Sequence, residues 1–148
     1  MNIGSDDARV LGVDFGLKRI GLAVSDPTGT IASPLETVKR RAGKRPPLKQ
    51  IAETARAWDV RHVVVGLPLA ASGDENAWCA EVREMAHGLA ERLNVEVSFV
   101  DERMTSVRAE RAIRSVGLSR EKLRDKGRID AGAAQLILQA WLDRKGAS

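Results

Sequence analysis

Acids stand in this sequence where acids are costly. Asp14 interrupts the apolar run VLGVDF at residues 10–15, the stretch VEVSFVDE at residues 95–102 ends on the pair Asp101 and Glu102, and Asp130 falls in the first turn of the final helical segment. A carboxylate left unpaired in an apolar layer costs several kcal/mol or gives up its charge. Strand alternation sets Val10, Gly12 and Asp14 on one side of the first strand and Leu11, Val13 and Phe15 on the other. If Glu102 shares the side of Asp14, and Asp130 projects from a helix packed over it, the carboxylates converge. Like charges held that close stay ionised only around cations, and oxygen donors without His or Cys select a hard ion, Mg2+ or Mn2+.

The basic residues point to a polyanion. Between Arg103 and Arg128 nine basic residues face three acidic ones, a local net charge of +6 against +4 for the whole chain. A second cluster, KRRAGKR at residues 39–45, places five more in a loop flanked by prolines. Two basic patches on a near-neutral body suit nucleic acid. Lys18, Arg19 and Arg103 lie next to the acids and are candidates to contact phosphate there, with Arg108 and Arg111 further along a helix. With no Tyr and 3% aromatic residues the chain offers no evident stacking platform, so recognition should rest on backbone and shape.

Other polar residues read as structural: Thr105 as a helix cap, Asp101 as a strand-end hydrogen-bonding group, His62 and His87 as surface or helix-face residues, and Trp141 as C-terminal docking. Cys79 is the only cysteine, so no internal disulfide forms, and no Cys/His cluster has zinc spacing. No apolar run approaches the roughly 18 residues of a membrane span, and the N-terminal MNIGSDDARV lacks the basic-then-apolar order of a secretion signal. The cytoplasm is the expected compartment.

To position these residues, 148 residues suffice for a single domain spanning 1–148. Residues 9–15 and 19–25 read as an antiparallel hairpin, and 30–38 as a third strand whose Pro34 marks an edge or a bulge. A helix follows Pro46-Pro47, with Leu48, Ile51, Ala55 and Trp58 at helical spacing. HVVVGLP, residues 62–68, reads as a central strand covered on both faces. A helix from about Glu75 to Leu93 presents Trp78, Val82, Met85, Leu89 and Leu93, and the strand 95–102 leads into a helix ending near Gly117. The last helix, near Ile129 to Leu142, turns Ile129, Ala133, Leu136, Ile137 and Ala140 inward. This order is α/β: an antiparallel meander that gains parallel strands through crossover helices.

The blocks VLGVDFGLKRIGLAVSDPTGTIASPLETV, VVVGLP, VDERMTSVRAE and IDAGAAQLILQAWLD resemble, in order and over nearly the whole chain, the signature blocks of the YqgF (RuvX) family of RuvC-like nucleases. The resemblance implies an RNase H-like fold with a five-stranded mixed sheet, three strands antiparallel and then two parallel, flanked by helices. It implies Asp14, Glu102 and Asp130 as catalytic metal ligands for two divalent ions, Mg or Mn, ~3.5–4 Å apart, in phosphodiester hydrolysis. The substrate it implies is the 5′ end of precursor 16S rRNA or, alternatively, branched DNA of the Holliday-junction type; paired cuts in a junction would call for a homodimer. The loop GLPLAASGDE departs from the family pattern at Ala70 and Ser72, which bears on loop contacts. Two rivals stand beside this reading. One is an actin-like ATPase, which shares Gly-x-Asp-x-Gly but needs two such domains. The other is a non-catalytic RNA-binding factor of ribosome maturation.

Overall fold

A computed structural model describes residues 8–40, 45–105 and 126–147, the side chains of 126–131 and 146–147 excepted. The first hairpin forms where the apolar runs predict it. β1 (Arg9–Phe15) and β2 (Arg19–Ser25) pair antiparallel, and β3 (Ala32–Lys39) pairs with β2. Pro34 cannot donate to a ladder; it lies on an edge strand, opposite Ala23, where the register shifts. α1 (Leu48–Ala57) crosses over to β4 (Val60–Leu67), and α2 (Ala77–Leu93) to β5 (Glu96–Asp101), which makes β1, β4 and β5 parallel neighbours. The sheet order is β3-β2-β1-β4-β5. α3 (Lys126–Ala147) follows. The helix expected to end near Gly117, with Arg108 and Arg111, lies outside the described residues.

Alternation divides the core in two. Leu11, Val13, Phe15, Val63 and Val65 pack under α1 and α2 against Ile51, Ala55, Val82 and Leu89. Val10, Ala23, Val64 and Val100 pack under α3 against Ala133, Ala134, Ile137 and Leu138. β4 is therefore covered on both faces, as its unbroken apolar run requires.

Local signals set the element ends. Asn76 caps α2, its side chain accepting from the Cys79 amide at 2.9 Å, which starts the helix just after the expected Glu75. The buried stripe of α2 is wider than the expected one and takes in Cys79, Ala86 and Ala90, with Trp78 and Leu93 at its margin. Asn94 closes α2 in the left-handed region, φ 54°. Trp58, expected on the inward stripe of α1, instead caps its C-terminus and is 39% exposed; the helix ends before the turn that would carry the indole inward. Asp26 organises the β2–β3 turn: its carboxylate accepts from the Thr30 and Ile31 amides, both at 2.8 Å, and from the Thr28 hydroxyl. Those donors favour the charged form and hold its pKa down to about 2.

Candidate metal and nucleic-acid site

Glycine brings α3 close to the sheet. A Cβ at Gly12 would lie 2.7 Å from Leu138 Cβ and 3.0 Å from the Ala134 carbonyl oxygen, so only a bare Cα admits the helix at this distance. Asp14, two residues on, is 3% exposed and shares by alternation the face on which α3 lies. The hairpin tip beyond it is fixed by its own backbone, with the Gly16 amide donating to Arg19 O at 2.9 Å and the Arg40 amide to Lys18 O at 2.8 Å. Lys18 is exposed and Arg19 half-buried at that tip, directly beyond Asp14.

Gly66 joins the two acids. The pairing of Gly12 with Val64 and Val13 with Val65 puts Asp14 level with Gly66, at the C-terminal ends of two parallel strands. Open α/β sheets bind their ligands at such ends. Gly66 pairs in turn with Val100. The chain leaves β5 through a single 3-10 turn, Glu102–Met104, whose Glu102 is 3% exposed. That turn brings the Glu102 carboxylate over Gly66, where a Cβ would sit 3.0 Å from Oε1. Adjacent strands lie ~4.8 Å apart, so Asp14 and Glu102 are neighbours across one strand spacing. Of the acidic pair, Glu102 is thus the member that turns inward. Sequence periodicity gave no sign of Gly66, whose role depends on what lies across from it.

Asp101 turns the other way. It accepts from the Arg103 amide at 2.9 Å and from the Arg103 guanidinium, with Nη2 at 2.7 Å from Oδ2. Arg103 Nη1 also donates to Ala71 O at 3.2 Å, and the guanidinium covers Gly73, whose φ of 92° suits glycine. The carboxylate raises the Arg103 pKa above its usual value. Arg103 therefore ties the loop containing Ala70 and Ser72 to the end of β5, with three of its five N–H donors engaged among the described residues. Thr105 closes the same turn, its hydroxyl donating to Glu102 O at 2.9 Å.

Asp130 lies in α3, one helical turn before Ala134, the residue whose carbonyl meets Gly12. Its side chain lies outside the described residues, and among those residues no group of three His, Cys, Asp or Glu is placed to hold a metal. The donors that are described fit a hard divalent cation: two buried carboxylates brought together at a strand end.

Residues 8–144 match a family model described as RuvX, Holliday junction resolvase. The chain belongs to the RuvX family. An Anaeromyxobacter sp. (strain Fw109-5) protein named "Putative pre-16S rRNA nuclease" is 44% identical over 139 residues, 94% of this chain and 99% of its own. A relative of the same name from Chloroflexus aggregans (strain MD-66 / DSM 9485) is 39% identical over 140 residues, covering 95% and 96%. Among solved structures, T. thermophilus RuvC in complex with a Holliday junction substrate superposes with TM-score 0.57 at 20% identity, covering 95% of this chain and 98% of that one. The fowlpox virus resolvase with Holliday junction DNA gives 0.53 at 11%, covering 93% and 98%. The expected RuvC-like, RNase H-like architecture is therefore the one this RuvX chain adopts. Its family and relatives are nucleases by description, which places it in that activity class, and no described helix is long and apolar enough to cross a membrane.

Proposed function

We propose that this RuvX chain is a divalent-metal-dependent nuclease whose site is Asp14, Glu102 and Asp130, acting on the 5′ end of precursor 16S rRNA. The observation that carries the reading is the buried Glu102 carboxylate over Gly66 with the buried Asp14 level with that glycine on the adjacent strand. Two bound ions would supply an activated water and charge stabilisation at the phosphoryl oxygens. Asp14, in the middle strand of the sheet, would hold an ion together with Glu102 and Asp130. Glu102 is locked by the 3-10 turn, which Asp101 and Thr105 secure by capping and closing it. Lys18 and Arg19 at the fixed hairpin tip would hold the phosphate backbone beside the cut. Arg103 would offer phosphate its remaining N–H groups while keeping the neighbouring loop in place, and Arg108 and Arg111 would follow the strand outward. The names of the relatives support the ribosomal substrate.

The description of the family model favours a second substrate, a four-way DNA junction, in which paired cuts would call for a homodimer. One experiment separates these readings. Wild-type protein and Asp14→Asn are incubated with precursor 16S RNA, a four-way junction and plain single strands, with Mg2+, Mn2+ or EDTA, and the cuts are mapped. Metal-dependent cleavage at the rRNA 5′ end by wild type, lost at least ~100-fold in Asp14→Asn, is expected. Equal products from both proteins would remove Asp14 from the site, and no products from wild type with the RNA still bound would replace the enzyme with the non-catalytic RNA-binding factor.

A further inference from the structure

At the other end of the sheet, β1 and β4 begin beside a cavity of about 580 Å3 lined by Arg9, Thr30, Arg61, His62, Trp141 and Lys145 among others. Trp141 stacks on His62, ring centroids 4.9 Å apart and planes 18° apart, and Lys145 Nζ lies 5.2 Å from the indole centroid. The Arg9 guanidinium lies 5.2 Å over Trp58. Two of the three tryptophans thus share one end of the molecule with three cationic side chains. The composition offered no evident stacking platform because it does not say where so few aromatic rings will gather.

Two described acids, Asp59 and Asp26, adjoin these cations. Asp59 reaches Arg61 at 3.7 Å, but both side chains are largely exposed and such a pair is weak in water, so a phosphate can replace it. Asp26, in the adjoining turn, is occupied by the Thr28, Thr30 and Ile31 donors.

We propose that this end is a second nucleic-acid contact, a stacking-and-phosphate platform for a single-stranded stretch of substrate lying away from the cut. The inference rests on the nucleic-acid substrate proposed above. An acidic peptide would need the cations alone. The tryptophans beside them favour a polyanion that also carries bases able to stack on indole. Five residue steps of β1, from Arg9 to Asp14, separate this end from the carboxylates by about 17 Å, so only a strand long enough to span that distance reaches both.

The test uses Asp14→Asn protein without divalent metal and labelled single-stranded RNAs of about four and about 16 nucleotides, read by fluorescence anisotropy. Adding Arg61→Gln and Lys145→Gln should weaken binding of the long strand about tenfold and lower its salt slope by about 1.4. Binding of the short strand should be unchanged. Tryptophan emission should be quenched by the long strand, less so in Trp58→Leu. Unchanged long-strand affinity, an equal loss at both lengths, or displacement of neither RNA by excess unlabelled strand while an acidic peptide binds would overturn the proposal. The readout needs no cleavage. A protein that cut nothing yet lost long-strand affinity in the double variant would refute the nuclease reading and keep this one.

Discussion

The two faces of the sheet are built on opposite rules. Under α1 and α2 the strands present Leu11, Val13, Phe15, Ile20 and Leu22, large side chains that keep the helices at a distance and fill the space. Under α3 they present Gly12, Ala23 and Gly66 along with Val10, Val64 and Val100; Leu138 and the Ala134 carbonyl close on Gly12, and Ile137 closes on Gly66. Asp14 and Glu102 belong to this second face. Close approach lets one helix share a layer with two buried acids, and it leaves neighbouring atoms no room to give. The large-residue face should therefore govern stability, and the small-residue face geometry.

The largest effect tests the first half of that contrast. Leu89→Ala removes a fully buried side chain from the α1/α2 face and should cost ~2–5 kcal/mol by chemical denaturation. Cleavage per folded molecule should stay at the wild-type level. A fall in the specific activity of the folded fraction would show that the faces are not separable.

Gly66→Ala tests the second half. Its Cβ would meet Ile137 Cδ1 at 2.5 Å and Glu102 Oε1 at 3.0 Å. Overpacking of this kind costs ~1–3 kcal/mol, less than Leu89→Ala. Displacing Glu102 by about 1 Å should nonetheless lower cleavage ~100-fold. Gly12→Ala, blocked by Leu138 Cβ and by the Ala134 backbone, should show a similar stability loss with a smaller effect on cleavage, because it pushes on α3 and not on Glu102 itself. If Gly66→Ala were as active as wild type, the carboxylate pair over this glycine would not be the site.

The contrast also explains which parts of the molecule were legible in sequence. β1 and β2 carry largely apolar runs bounded by turn residues, and their observed limits, Arg9–Phe15 and Arg19–Ser25, are those the runs predict. Asp14 and Glu102 stood out because a charge within or beside such a run is anomalous. Gly66 did not, because VVVGLP reads as a strand whether its glycine faces empty space or a carboxylate. Arg103 was legible as a cation near the site. Its tie to Asp101 and Ala71 was not, because it depends on how the loop after β4 folds back on β5. Trp58 and Trp141 lie far apart in the chain, and only the parallel start of β1 and β4 brings their surroundings together.

The smallest expected effect concerns His62, the titratable group at the far end of the small-residue face. Its imidazole is half-buried, stacked on Trp141 and 2.8 Å from the Ser98 hydroxyl. Burial lowers its pKa below the ordinary 6.5; Glu96 opposes that shift and Lys145 adds to it. A base whose folded pKa is depressed takes up protons more readily unfolded than folded, so its contribution is complete above pH 6.5 and is lost as the pH falls below that value. The stability of wild type relative to His62→Gln, measured by denaturation at a series of pH values, should therefore decline on acidification from pH 7.5. If Glu96 outweighed burial, the folded pKa would stand above 6.5 and the difference would grow on acidification. The sign of one slope thus decides whether packing under α3 or the neighbouring acid governs that end of the face.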